Sequence, residues 1–192
     1  GGPGGSVDGS AAPGGASPGG AGSSPSSRPG GKAAQPLPAS RPLSISIPSL
    51  GVASSLERLG LGKGRAMQTP RDPDKAGWYR PGPTPGALGP SVIAGHVTWD
   101  GDPAVFFELA EVSPGDRVDV RRADGRTARF TVDRIAVHPK DRFPTVEVYR
   151  NIDHAGLRLI TCGGTYSEAD RRYADNVIVY ATLTGVTGRA AR

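Results

Sequence analysis

Residues 157–164 run Leu157-Arg158-Leu159-Ile160-Thr161-Cys162-Gly163-Gly164, an apolar alternation that stops at a thiol followed by two glycines. Period-two alternation with branched side chains marks a strand, so the thiol sits at a strand end. A nucleophile gains from that place: the strand fixes its backbone, and the glycines leave room for an approaching peptide carbonyl. The structural alternative is a buried core cysteine before a turn, since free Cys is among the most buried residue types.

Upstream, Ser91-Val92-Ile93-Ala94-Gly95-His96 is a second run that arrives at a polar residue with a glycine beside it. His138, before Pro139, and His154, in the stretch Asn151-Ile152-Asp153-His154, fall in expected loops and are expected at the solvent. Cys162 and His96 therefore form the candidate nucleophile and acid/base pair. The same period predicts strands over residues 43–47, 91–95, 117–121, 127–137, 145–149, 157–161 and 177–183. Ala123-Asp124-Gly125 between two of them is a hairpin signal, because Asp and Gly tolerate positive φ. Short helices are expected over 56–59, capped by Ser54-Ser55, and from 104 to 109, opened by Asp102-Pro103. Many short strands without βαβ alternation predict a mainly β fold, a closed or partly closed antiparallel-rich barrel with one or two short helices.

Composition divides the chain. Residues 1–38 are rich in Gly, Pro and Ser, carry no aromatic side chain and hold too little apolar surface to offset the entropy of ordering. They read as a linker whose root-mean-square span is on the order of 35 Å. Residues 39–184 are the expected folded domain, and 185–192 an expected flexible tail. The formal charge is +5, with basic and acidic residues interspersed. No aromatic-basic interleaving accompanies them, so nucleic acid is not an expected partner. A leader of this composition before a compact domain is what would follow an export signal or membrane anchor, so a membrane tether is expected upstream. The single cysteine excludes an internal disulfide framework.

Several ordered motifs now converge on one family. Leu159-Ile160-Thr161-Cys162 resembles the sortase signature in which a strand ends in Thr-Cys, and Val92-Ile93-Ala94-Gly95-His96 resembles that family's strand-end histidine. Tyr173-Ala174-Asp175-Asn176-Val177-Ile178-Val179-Tyr180-Ala181 is similar to the strand that follows the active-site cysteine. Thr-Cys-Gly-Gly and Tyr-x-Asp-Asn, with Trp78-Tyr79 and Pro85-Gly86 upstream, are most similar to the actinobacterial class F sortases. The resemblance covers residues 42–184. It implies an eight-stranded sortase barrel, an exported monomeric enzyme at the outer face of the membrane, and a sorting-signal substrate of the Leu-Pro-x-Thr-Gly kind. It also implies transfer of that peptide to an amine of a cell-wall precursor or of another surface protein, through a thioester and without a cofactor or metal.

The resemblance further calls for an arginine that steadies the tetrahedral oxygen. At the start of the final strand, where class A sortases carry it, this sequence has Asn176, and Arg172 stands four residues earlier. Arg172 is the expected guanidinium, with Arg171 and Arg158 behind it, while Thr161 and Asn176 are expected substrate contacts. The competing expectations are an endopeptidase that passes the acyl group to water, and a non-enzymatic surface β-barrel in which Cys162 is merely buried.

Overall fold

The computed structural model describes residues 32–162 and 175–188. Ten strands are present among them: β1 (Pro42–Ile47), β2 (Val52–Leu59), β3 (Ala76–Tyr79), β4 (Gly89–His96), β5 (Thr98–Trp99), β6 (Asp102–Pro103), β7 (Arg117–Arg122), β8 (Thr127–His138), β9 (Ala155–Cys162) and β10 (Asn176–Thr187). One α-helix, α1 (Thr145–Tyr149), and short 3-10 turns join them. Eight strands close a barrel in the order β1-β2-β3-β4-β9-β10-β8-β7, and β5–β6 forms a separate two-stranded ribbon. The mainly β, closed eight-stranded barrel expected from the sequence is the observed fold.

Alternation explains the core. Ile93 of β4, Leu157 and Leu159 of β9, and Val177, Val179 and Ala181 of β10 point inward and pack with Phe106, Leu109, Phe130 and Val132. The intervening residues Val92, Ile160, Ile178 and Tyr180 form a second apolar cluster on the outer face, covered by Val148 of α1. Burying each large aliphatic side chain contributes roughly 1.5–3 kcal/mol, so both faces of β4, β9 and β10 specify register.

Two parallel pairings, β2–β3 and β4–β9, interrupt an otherwise antiparallel barrel. The second one positions the site. Parallel neighbours end at the same rim, and the register places Gly95 beside Thr161 and His96 beside Cys162.

The structure corrects several local expectations. Residues 145–149 form a helical turn, not a strand. Val148 donates to the carbonyl of Pro144 and Arg150 to that of Val146. One turn buries Val148 and leaves Val146 exposed, so packing onto the outer face overrides the strand propensity of Thr-Val-Glu-Val-Tyr. Residues 56–59 belong to β2, not a helix. That strand has partners on both sides, and the Ser54 hydroxyl accepts the Ala76 amide of β3 instead of capping a helix. Asp102-Pro103 forms β6, and residues 104–109 make hydrogen-bonded turns, Phe107 to Ala104 and Leu109 to Phe106, without closing a helix before the 3-10 turn Leu109–Glu111. His138 closes β8 and is half-buried, not in a loop.

Both ends of the domain extend past their expected bounds. Within the expected linker, the Ala34 amide donates to Leu183 and the Leu37 amide to Gly86, and both side chains pack against the core. Within the expected tail, β10 continues to Thr187, which pairs with Thr127. The hairpin at 123–125 is as expected, with Gly125 at φ 86° and its amide on the Arg122 carbonyl.

Candidate active site

The β4–β9 register stands His96 directly beside Cys162 on neighbouring strands, about 5 Å apart between backbones, with both side chains on the outer face. On the other side of β9, β10 runs antiparallel with Ile178 opposite Ile160. The β9–β10 ladder ends at that pair; beyond it the Val177 amide reaches the Thr161 hydroxyl, and Asn176 pairs with His138 of β8. The rim thus gathers two pairs at the ends of four strands: His96 with Cys162 on β4 and β9, and Asn176 with His138 on β10 and β8. The sequence pointed to His96, Cys162 and Asn176 separately; pairing makes the first two neighbours and adds His138 beside the third.

His96 is 5 % exposed and held from two sides. Its Nε2 lies 2.7 Å from the carbonyl oxygen of Pro70, and its ring meets that of Trp99 edge-on at a centroid distance of 4.9 Å. Its own carbonyl accepts the Phe106 amide at 2.9 Å, tying the end of β4 to the 104–106 segment. Gly95 permits that approach: a Cβ there would lie 2.7 Å from Phe106 and 2.8 Å from Val105. The glycine beside the histidine is therefore explained by packing on the inner face.

Cys162 is partly exposed, at the open end of β9. Thr161 points the opposite way by strand alternation. Its hydroxyl accepts the Val177 amide at 2.8 Å, and its carbonyl accepts the Asn176 side-chain amide at 3.4 Å. Both contacts fasten β9 to the start of β10 next to the thiol. The Thr161 hydroxyl, expected to touch substrate, is engaged in this tie on the face away from Cys162.

Arg158 shares the Cys162 face but lies four residues back, about 13 Å along the strand. It is 6 % exposed, and its guanidinium carbon lies 4.8 Å from the centroid of the Tyr180 ring, which Arg134 covers at 3.7 Å. Burial holds its pKa below the usual arginine value. Arg158 is thus part of an aromatic stack under α1 and does not join the thiol. Arg171 and Arg172, with Gly163, Gly164, Tyr173 and Ala174, lie outside the described residues. Trp78 is core, its indole N–H on the Pro83 carbonyl, and Tyr79 packs edge-on against Tyr149 at 5.7 Å. Among the described residues, no three His, Cys, Asp or Glu side chains are grouped to hold a metal ion, and no helix is long and apolar enough to cross a membrane.

A thiol and an imidazole on paired strands at one barrel rim are groups that acyl transfer can use. Residues 45–184 match the sortase domain model. The chain belongs to the sortase family. Sortases are cysteine transpeptidases that act at the cell surface, and membership of the family supports a transpeptidase activity for this chain. Among solved structures, sortase A of Listeria monocytogenes superposes with a TM-score of 0.58 at 21 % identity, over 80 % of this chain and 92 % of that one. The pilus-related sortase C of Group B Streptococcus gives 0.56 at 19 % identity, over 78 % and 69 %. The sortase D5 transpeptidase of Clostridium perfringens gives 0.53 at 22 % identity, over 74 % and 78 %. At these identities the superpositions speak for the shared fold. No curated protein sequence matches the chain.

Proposed function

We propose that this sortase, of the class F kind, cleaves a Leu-Pro-x-Thr-Gly-like sorting signal at the outer face of the membrane, with Cys162 as nucleophile and His96 as acid/base. The observation that carries the proposal is the pairing of His96 with Cys162 in the β4–β9 register. In the first step the Cys162 thiolate attacks the threonine carbonyl and a carbon–sulfur bond forms. The carbon–nitrogen bond to glycine then breaks while the His96 imidazolium gives its proton to the departing amine. In the second step an acceptor amine attacks the thioester, passes a proton to neutral His96 and displaces the thiolate. The thioester conserves the acyl energy, so the exchange of one amide for another needs no external energy source.

A mainly apolar cavity of about 460 Å³, lined by Val97, Phe107, Ala110, Val137 and Val177 with the carboxylates of Glu108, Glu111 and Asp175, lies by the same rim and suits an acceptor that carries an ammonium group on an apolar stem. The tetrahedral oxygen needs a donor, a role worth about 3 kcal/mol. We assign it to Arg172, with Asn176, whose side-chain amide lies at the Thr161 carbonyl beside the thiol, holding the substrate backbone.

The test is product mass after incubation with a Leu-Pro-x-Thr-Gly peptide, with and without an amine such as triglycine. Transfer product that requires the amine and vanishes in Cys162→Ala is expected. Free acid in the presence of excess amine would make the protein an endopeptidase, and unaltered peptide in every arm would reject the substrate assignment.

A further inference from the structure

His96 is oriented from a distance. Pro70, whose carbonyl holds Nε2, is buried, and the two amides that follow it are clamped by one carboxylate. Glu57 of β2 accepts the Arg71 amide on Oε1 and the Asp72 amide on Oε2, each at 2.9 Å. Beyond them, Asp72 accepts the Asp74 amide on its side chain and the Lys75 amide on its carbonyl, and the Pro73 carbonyl accepts the Val105 amide. Two prolines with fixed φ and five hydrogen bonds leave the Pro70 carbonyl one direction to face.

A carbonyl only accepts, so the nitrogen facing it must carry a proton in both the neutral and the charged ring. That leaves Nδ1 as the nitrogen free to exchange a proton, and it removes the ring flip that would swap the two. We propose that Glu57 is a positioning residue for His96: by clamping residues 71–72 it aims the Pro70 carbonyl, which holds the imidazole as the Nε2–H tautomer with Nδ1 as the working nitrogen. This rests on His96 being the acid/base of the proposed function. The Trp99 edge contact blocks rotation from the other side. Nothing in the sequence around Glu57, separated from His96 by a whole strand, marks it for this role.

Nitrogen-15 spectra of the histidine ring in the full-length protein, at a pH where the ring is neutral, test the tautomer without any variant. An Nε2–H pattern for His96 is expected, and an Nδ1–H pattern overturns the proposal. In Glu57→Ala the two tautomers should mix. Its kcat should fall about ten- to a hundredfold, as when a group orienting a catalytic side chain is lost, with KM within about twofold. Glu57→Gln keeps one acceptor oxygen and should fall between wild type and Glu57→Ala. A folded Glu57→Ala with wild-type kcat and a single tautomer overturns the proposal; if that variant does not fold, Glu57→Gln and the wild-type spectrum decide. His96→Ala separates the two levels. If it keeps full activity, the acid/base assignment has failed; if it is inactive while Glu57→Ala matches wild type, only the positioning inference has.

Discussion

Cys162 and Thr161 are consecutive and face opposite ways, and that divides their work. Thr161 locks β9 to β10 through the Val177 amide, so the thiol one residue later sits on a fixed backbone. His96 faces the thiol from β4 in the same manner. Replacing His96 with Asn should lower transpeptidation by about 10²–10⁴-fold, the usual span for a lost general acid/base, measured as peptide turnover with the fold checked by circular dichroism. At this scale the sequence was informative where chemistry has a residue type. A thiol and an imidazole at strand ends are visible in a string of letters, whereas a backbone carbonyl such as that of Pro70 has no letter of its own. Arg158 shows the converse. Its even spacing from Cys162 predicts the shared face correctly, but not the 13 Å or so that separates them along the strand.

Between elements, close approach decides what the site tolerates. β4 takes the 105–106 segment against its inner face only because residue 95 has no side chain. Gly95→Ala should therefore cost about 1–3 kcal/mol, as overpacking does, and shift the end of β4. Thermal melts should show the destabilisation, and activity should drop further than stability because His96 is the next residue. The strands that alternate with strongly branched side chains, β1, β4 and β7–β10, were readable from period alone. β2 and α1 were not, for a common reason: both owe their conformation to what they pack on. Val-Ala-Ser-Ser-Leu-Glu-Arg-Leu fits a helix as well as a strand until β1 and β3 flank it. Thr-Val-Glu-Val-Tyr reads as a strand until Val148 is needed over Ile160 and Ile178.

Across the whole molecule, the barrel has one rim that carries the proposed catalytic pair and one that is fastened. His96, Cys162, Asn176 and His138 mark the first. At the other, residues 34–41 cross the barrel over the fully buried side chain of Arg122, which donates to the carbonyls of Pro38 and Pro85 and pairs with Asp124 at 2.6 Å. The composition of residues 1–38 pointed to a linker throughout, because the backbone carbonyls that dock its last residues leave no trace in composition. Removing residues 1–31 should leave the melting temperature unchanged, whereas removal through residue 41 should cost about 2 kcal/mol or more by stripping partners from Arg122. The same fastening has a pH signature. The Arg122 hydrogen bond, helped by the Arg126 amide and opposed by partial burial, holds the Asp124 carboxyl below the ordinary carboxylate range. A lowered folded-state pKa stabilises the protein above the free value of about 3.9, and that contribution drains away as the pH falls through the lowered one. Wild type should lose its urea-midpoint advantage over Asp124→Asn as the pH falls below about 4, while keeping it at neutral pH.

The pairing of Cys162 with His96 as an acyl-transfer centre is tested most directly by intact-protein mass after rapid mixing with a Leu-Pro-x-Thr-Gly peptide and acid quench. A population heavier by the mass of the acyl fragment ending at threonine, released by hydroxylamine and absent from Cys162→Ala, is the predicted result. Turnover of the peptide by Cys162→Ala at the wild-type rate, with no adduct on either protein, would contradict it.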